Sequence, residues 1–212
     1  MDEKLLVVSK LNKSYGEGFS ERQVLRDFSL ELSKKETIGI IGESGIGKST
    51  LARIITGLED ADSGSVLFEG NDILKMSSKE IKSIRPYLQL VFQNYRKALN
   101  PYVRVKKILE EAAPRQDCAE LLASAGLDAS ILGKYPGQLS GGQAQRLNII
   151  RSIMMNPKVL ILDEATSGLD AQTIDECLIM LKEAQQVMEF GLIIISHDLK
   201  VIEKACTRII EM

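Results

Sequence analysis

With 212 residues, 44% of them hydrophobic and 26% charged, the chain is long enough to bury a sizeable core and shows neither repeats nor low complexity. A formal net charge of −2 leaves no electrostatic footprint for nucleic acid, so a nucleic-acid partner is not expected. The N-terminus lacks a basic region followed by an apolar stretch, and no apolar run has the length of a bilayer span. Cys118, Cys177 and Cys206 lack zinc or redox spacing, so a reducing cytosolic location is expected, with membrane association only through another protein.

In chain order, residues 5–8 and 24–32 read as antiparallel strands, the second with Phe28, Leu30 and Leu32 alternating with Ser29 and Glu31. Between them lies Lys13-Ser14-Tyr15-Gly16, where the Tyr15 ring either stacks on an adenine face or packs beside the glycine turn. The apolar run 38–41 then enters Gly42-Glu43-Ser44-Gly45-Ile46-Gly47-Lys48-Ser49-Thr50, which has the phosphate-cradling spacing G-x-x-x-x-G-K-[ST] in a strand-loop-helix context. The glycines free the backbone to turn its N–H groups inward, and Lys48 adds a point charge for the β- and γ-phosphates. Ser49 opens a helix whose positive end faces the phosphates and whose hydroxyl suits a Mg²⁺ ligand. Leu51, Ile54, Ile55 and Leu58, at i, i+3, i+4 and i+7, predict that this helix buries one face.

Residues 65–68 give another short strand. From about 77 to 140 the character changes, with short helices over 79–85, 104–113 and 117–125 bounded by Pro86, Pro101, Pro114, Gly126 and Pro136. This predicts a helical lobe inserted into a single domain spanning 1–212. Gln93 closes the apolar segment 90–92 at the lobe's junction; its amide suits a mobile metal or water ligand, and equally a polar residue ending a strand. A helix over 141–155 stops at Asn156-Pro157, and the strand 159–162 follows. Next comes a long helix with Ile174, Cys177, Leu178, Leu181, Ala184 and Met188 on one face, then strands over 192–195 and 208–211. Strands separated by helices imply right-handed crossovers and a parallel sheet, with ligands beyond the carboxyl ends of its strands.

Asp163 and Glu164 stand at such an end, as do the phosphate loop and His197, the only histidine. Beside a triphosphate, Asp163 is assigned to the metal and Glu164 to orienting and deprotonating the attacking water. Away from the phosphate loop the same acidic pair would read as a surface cap. His197, which alone would read as a satisfied rim residue, is placed to bond the γ-phosphate and the water or Glu164. Leu139-Ser140-Gly141-Gly142-Gln143 makes an S-x-x-Q capping box whose glycines admit an anion to a helix tip, a second phosphate site. One chain does not easily bring both sites to one nucleotide. Two chains facing head to tail do, with Ser140, Gly142 and Gln143 of each reaching the ATP in the other's phosphate loop.

Together these segments resemble the ATP-binding cassette ATPases, over nearly the whole chain and in family order. Residues 42–50 are similar to Walker A, Gln93 to the Q-loop, residues 139–143 to the signature motif and 159–164 to Walker B. Ser167-Gly168-Leu169-Asp170 is similar to the D-loop, His197 to the switch histidine and Tyr15 to the aromatic A-loop residue. The resemblance implies a P-loop NTPase α/β core with a mostly parallel sheet, an N-terminal antiparallel β subdomain and an inserted helical subdomain. It implies ATP and Mg²⁺ as cofactors, metal contacts from Ser49, Gln93 and Asp163, and catalysis by Glu164, His197 and Gln93. Gly168, Asn94 and Ile46 depart from the commoner alanine, aspartate and smaller residue, without removing a reactive group.

Residues 98–105, Ala-Leu-Asn-Pro-Tyr-Val-Arg-Val, resemble the peptide and nickel importer subfamily, which implies a position near the groove for a permease coupling helix. The C-terminal extension of many members is not expected after Met212. The implied function is the ATP-hydrolysing subunit of an importer of peptide, nickel or a metal chelate. Its implied partners are integral membrane permease subunits, a second cassette in a homo- or heterodimer, and an extracytoplasmic solute-binding protein; its place is the cytoplasmic face of the membrane. The alternative is a soluble, non-transport cassette, either a cofactor-assembly scaffold or a nucleic-acid or ribosome factor.

Overall fold

A computed structural model describes residues 4–16, 22–94, 98–114 and 118–212; residues 1–3 and Asp117, which begins one of the expected helices, lie outside them. The first half runs β1 (Lys4–Tyr15), β2 (Arg22–Ser33), β3 (Thr37–Ile41), α1 (Lys48–Ile55), β4 (Ser63–Phe68), β5 (Asn71–Asp72), α2 (Ser78–Ile84) and β6 (Leu88–Phe92). The second half runs α3 (Val105–Ala112), α4 (Ala119–Ser124), α5 (Gly141–Met154), β7 (Val159–Asp163), α6 (Ala171–Met188), β8 (Gly191–Ile195), α7 (Leu199–Ala205) and β9 (Arg208–Glu211).

β1, β2, β4 and β5 form an antiparallel sheet in the order β2-β1-β4-β5. β1 and β2 outrun their apolar alternation because each carries a kink at φ 45°, at Lys10 and Asp27. The register shifts between Val8 and Leu11, so the buried side passes from Leu6 and Val8 to Leu11. Asn12 fastens both kinks, donating from Nδ2 to the Lys10 carbonyl at 3.0 Å and to Asp27 Oδ1 at 3.1 Å, and accepting from the Asp27 N–H at 3.0 Å.

The second sheet is parallel throughout, in the order β6-β7-β8-β3-β9. Its three central strands, β7, β8 and β3, are buried on both faces, which is why they read as unbroken apolar runs. Leu160, Leu162, Leu192 and Ile194 pack with Leu147 and Ile150 of α5 and Leu181 of α6. Val159, Ile161, Ile193 and Ile195 pack on the other side with Leu51, Ile54 and Ile55 of α1 and with Leu6, Leu32 and Val66 of the antiparallel sheet. The two sheets therefore share one core, and the loops after β3, β7 and β8 leave at one rim.

Two expectations are corrected. Leu58 does not join the buried face of α1: the helix ends at Ile55, Gly57 turns the chain at φ 64°, and Leu58 is left 49% exposed. The lobe is not one insertion over 77–140, because β6 lies inside that stretch and pairs along its length with β7 as an edge strand of the parallel sheet, as the strand-ending reading of Gln93 has it. Its sequence Leu-Gln-Leu-Val-Phe, set among short helical segments, carries too little pattern to separate strand from helix. The sequence also gave no sign of α7, whose seven residues bury only Val201 and Ile202. That helix lies so close to β3 that a Cβ at Gly39 would stand 2.7 Å from Ile202 Cγ2.

Candidate functional site

The loop between β3 and α1 turns on glycine. Gly47 sits at φ 119°, and a Cβ there would collide with the Val24 carbonyl oxygen, so no other residue lets the loop close against β2. Lys48, the first residue of α1, is only 8% exposed and donates from Nζ to the carbonyls of Gly42 at 2.8 Å and Glu43 at 2.9 Å. Its ammonium is thereby held inside the loop. The cavity over it, about 500 Å³, is lined by Tyr15, Ser44, Gly45, Gly47, Ser49 and Thr50 among others, with Glu164 at its edge.

Three strand ends converge there. Ser49 Oγ donates to Asp163 Oδ1 at 3.0 Å across 114 residues of sequence. Asp163 ends β7 and is 6% exposed; burial pushes its carboxyl above the ordinary value, and the neighbouring Glu164 charge adds to that against the Ser49 bond. Glu164 takes a left-handed φ of 52°, uncommon for a residue with a side chain. Its backbone is held on both sides: its N–H donates to the Ile195 carbonyl at 3.0 Å, and Ser167 donates to its carbonyl from N at 3.1 Å and from Oγ at 2.8 Å. This conformation directs the carboxylate to His197, whose Nδ1 lies 2.8 Å from Glu164 Oε2. His197 is otherwise exposed, with a side chain 71% accessible.

Gln93 follows β6 and, with Asn94, lines a second cavity of about 520 Å³ that includes Ser49, Asp163, Arg53 and Arg151. The two cavities share Ser49 and Arg53, so the Gln93 cavity and the phosphate-loop cavity adjoin at these residues. Tyr15 is 41% exposed and anchored by its hydroxyl, which bonds Thr50 Oγ1 at 3.1 Å and donates to Glu59. Lys13 Nζ lies 5.6 Å from its ring centroid.

Ser140, Gly142 and Gln143 line neither cavity. Ser140 caps α5 with the expected box: the Gln143 N–H donates to Ser140 Oγ at 3.2 Å and the Ser140 N–H to Gln143 Oε1 at 3.0 Å. Asp170 caps α6 without a reciprocal box, accepting from Thr173 N at 2.9 Å and from Thr173 Oγ1 at 2.7 Å, and these backbone and hydroxyl donors hold its carboxyl below the usual range.

Sequence reasoning missed Arg22, Arg53 and Glu59. Arg22 donates to the Gly45 carbonyl at 3.0 Å and lines the phosphate cavity. Arg53 Nε donates to Glu59 at 2.9 Å, tying the end of α1 to the residue that holds Tyr15. The signal for Arg53 was present, since it lies four residues after Ser49 and hence on the same helix face. Arg22 and Glu59 carried none, because only the tertiary fold brings them to the loop.

Residues 25–167 match the family model described as ABC transporter. NikE, a nickel import ATP-binding protein of Escherichia coli O6:K15:H31 (strain 536 / UPEC), is 39% identical over 223 residues, covering 98% of this chain and 83% of that protein. The dimeric structure of a post-hydrolysis state of the ATP-binding cassette MJ0796 bound to ADP and Pi superposes with a TM-score of 0.85 at 25% identity, over 98% of this chain and 94% of that one. The structure of cbiO1 from Clostridium perfringens, part of the ABC transporter complex cbiONQ, gives a TM-score of 0.83 at 28% identity, over 100% of this chain and 85% of that one.

Proposed function

The chain belongs to the ABC transporter family as an ATP-binding and ATP-hydrolysing subunit, and from that premise we propose that it drives an importer of nickel, with peptide or a metal chelate as the other cargoes. The pairing of Ser49 with Asp163 at 3.0 Å and of Glu164 with His197 at 2.8 Å on one rim carries the reading of the site. The likeness to NikE supports the choice of nickel.

In this reading the residue 42–50 loop grips the triphosphate through inward N–H groups and Lys48, and the α1 dipole adds to the attraction. Tyr15 stacks on the nucleobase with the ring face opposite Lys13. Ser49, Asp163 and Gln93 line one cavity and offer hard oxygen donors that would suit Mg²⁺ directly or through its water. The metal, when bound, neutralises charge on the phosphates. Glu164 orients the attacking water and takes its proton; His197 fixes the carboxylate and contacts the terminal phosphate. The Ser140 helix tip, with Gly142 and Gln143, serves the nucleotide of a second cassette, giving a symmetric dimer with two composite sites. Permease subunits dock near residues 98–105, and an extracytoplasmic solute-binding protein delivers the cargo, so the chain works at the cytoplasmic face of the membrane as one domain with a helical lobe. Among the described residues no helix is long and apolar enough to cross a membrane.

The test is co-expression of the chain with the permease genes of its own locus, followed by ATP-driven uptake into vesicles. Nickel uptake abolished by Glu164→Gln is the expected result. Stable purification with no membrane subunit, together with no cargo moved, would favour the scaffold reading instead.

A further inference from the structure

Tyr15, Thr50, Arg53 and Glu59 close a ring of four hydrogen bonds beside the phosphate loop. Arg53 donates twice, from Nε to Glu59 Oε2 at 2.9 Å and from Nη2 to Thr50 Oγ1 at 3.4 Å. The Tyr15 hydroxyl gives its one proton to Glu59 Oε1, so in its 3.1 Å bond with Thr50 the threonine is the donor. Every bond then has one direction. The bonds run from the guanidinium to the carboxylate both directly and through two hydroxyls, and the charge at each end strengthens the chain between.

The backbone before Tyr15 is held as well. Asp62 accepts from the Ser14 N–H at 2.6 Å and from Lys13 Nζ at 3.3 Å, and the Lys13 side chain, over one face of the tyrosine ring, is only 15% accessible. Tyr15 lines the phosphate cavity, whereas Glu59 does not. A tyrosine left loose at the end of β1 would have to be ordered by each incoming ligand, which costs affinity. Here the hydroxyl orders the ring beforehand. With that proton committed to Glu59, the tyrosine offers a nucleotide the face of its ring and no donor.

Resting on the reading of Tyr15 as the residue that stacks on the nucleobase, we propose that Glu59 is a positioning residue for nucleotide binding, which fixes the Tyr15 ring in its stacking position through the hydroxyl. A carboxylate that touches no part of the nucleotide then sets part of its affinity. Thr50 and Arg53 both belong to α1, so the tie runs to the same helix whose first residues face the phosphates. The base platform and the phosphate cradle are therefore carried by one body.

Calorimetric titration of the whole chain with ATP tests this through a double-variant cycle. Tyr15→Ala removes the ring and weakens ATP binding about tenfold. Glu59→Leu removes the acceptor and weakens it about fivefold, while Glu59→Gln, which keeps an oxygen for the hydroxyl, restores most of that. In the Tyr15→Ala background Glu59→Leu changes the affinity by less than about twofold, because the ring it acts through is gone. Tyr15→Phe keeps the ring face, loses only the hydroxyl and matches the loss of about fivefold in Glu59→Leu. A Glu59→Leu loss that persists in Tyr15→Ala means that the carboxylate acts through Arg53 on the loop itself, and overturns the proposal. Wild-type affinity in either Tyr15→Phe or Glu59→Leu overturns it too; if Glu59→Leu fails to fold, Tyr15→Phe decides by that criterion. Unchanged ATP affinity in Tyr15→Ala would instead overturn the reading of Tyr15 on which the proposal rests.

Discussion

The phosphate loop and the Ser140 tip are both glycine-bearing helix starts, yet the structure supports them differently. Around the loop, beside the local bonds of Lys48 to Gly42 and Glu43, polar bonds run between distant elements: Arg22 to Gly45, Ser49 to Asp163, Glu164 to His197, Tyr15 to Glu59. At the tip Ser140 and Gln143, three residues apart, bond each other. The loop is preorganised by its own chain, which suits a site that takes its ligand before any partner arrives. The tip is a preformed donor surface whose remaining polar capacity faces outward, which suits a residue whose ligand is carried by another molecule.

The sharpest way to break this contrast is at Glu164. Glu164→Gln retains a side chain able to bond His197 but cannot take a proton, so turnover falls by about a thousandfold while ATP binding persists. Phosphate release measures the first, and size-exclusion chromatography the ATP-held dimer that should accumulate. Wild-type turnover would remove Glu164 from the role of base. Lys48→Ala comes next: it deletes the buried ammonium, and ATP affinity of the isolated chain drops about a hundredfold by calorimetric titration. Unchanged affinity would mean that the backbone cradle alone holds the triphosphate.

Ser140→Ala acts on the other side. The isolated chain should bind ATP as wild type does, while hydrolysis falls about tenfold because one charge-assisted hydrogen bond to the neighbour's phosphate is gone. Mixing Ser140→Ala with Lys48→Ala chains sharpens the point, since the mixed dimer holds one site with both defects and one with neither. Recovery of activity should therefore stop at half. No recovery above either single variant would place Ser140 and Lys48 in the same chain's site.

What the sequence disclosed follows the same division. The residue 42–50 loop, the Asp163-Glu164 strand end and the S-x-x-Q box are contiguous, and their chemistry is set by local spacing, so they were legible before any fold was known. The meeting of Ser49 with Asp163 followed from the rule that parallel strands end at one rim. The interruption of β1 and β2 at Lys10 and Asp27, the edge strand β6 and the short helix α7 were hidden, because a kink erases alternation and five to seven residues hold too few periods. Arg22 and Glu59 were hidden for another reason: a surface arginine or glutamate acquires a role only from what the fold sets beside it.

Glu59 gives the smallest effect and the one most specific to the loop side. Its burial works against ionisation, but the hydrogen bonds from Tyr15 and Arg53 outweigh that and hold the carboxyl below its ordinary value of 4.5. A carboxylate held low in the fold binds fewer protons than it does unfolded, so its contribution is present in full above that ordinary value and is lost as pH falls through the folded one. Glu59→Gln should therefore lower the thermal midpoint slightly near neutrality and flatten its decline from about pH 5 downward. Ser140→Ala, whose bonds involve no ionisable group, should shift the whole curve without changing its slope. Parallel acid branches for Glu59→Gln and wild type would show that the Tyr15–Glu59–Arg53 tie adds nothing to the loop's preorganisation, and the contrast between the two helix starts would then rest on the Ser49–Asp163 and Glu164–His197 pairs alone.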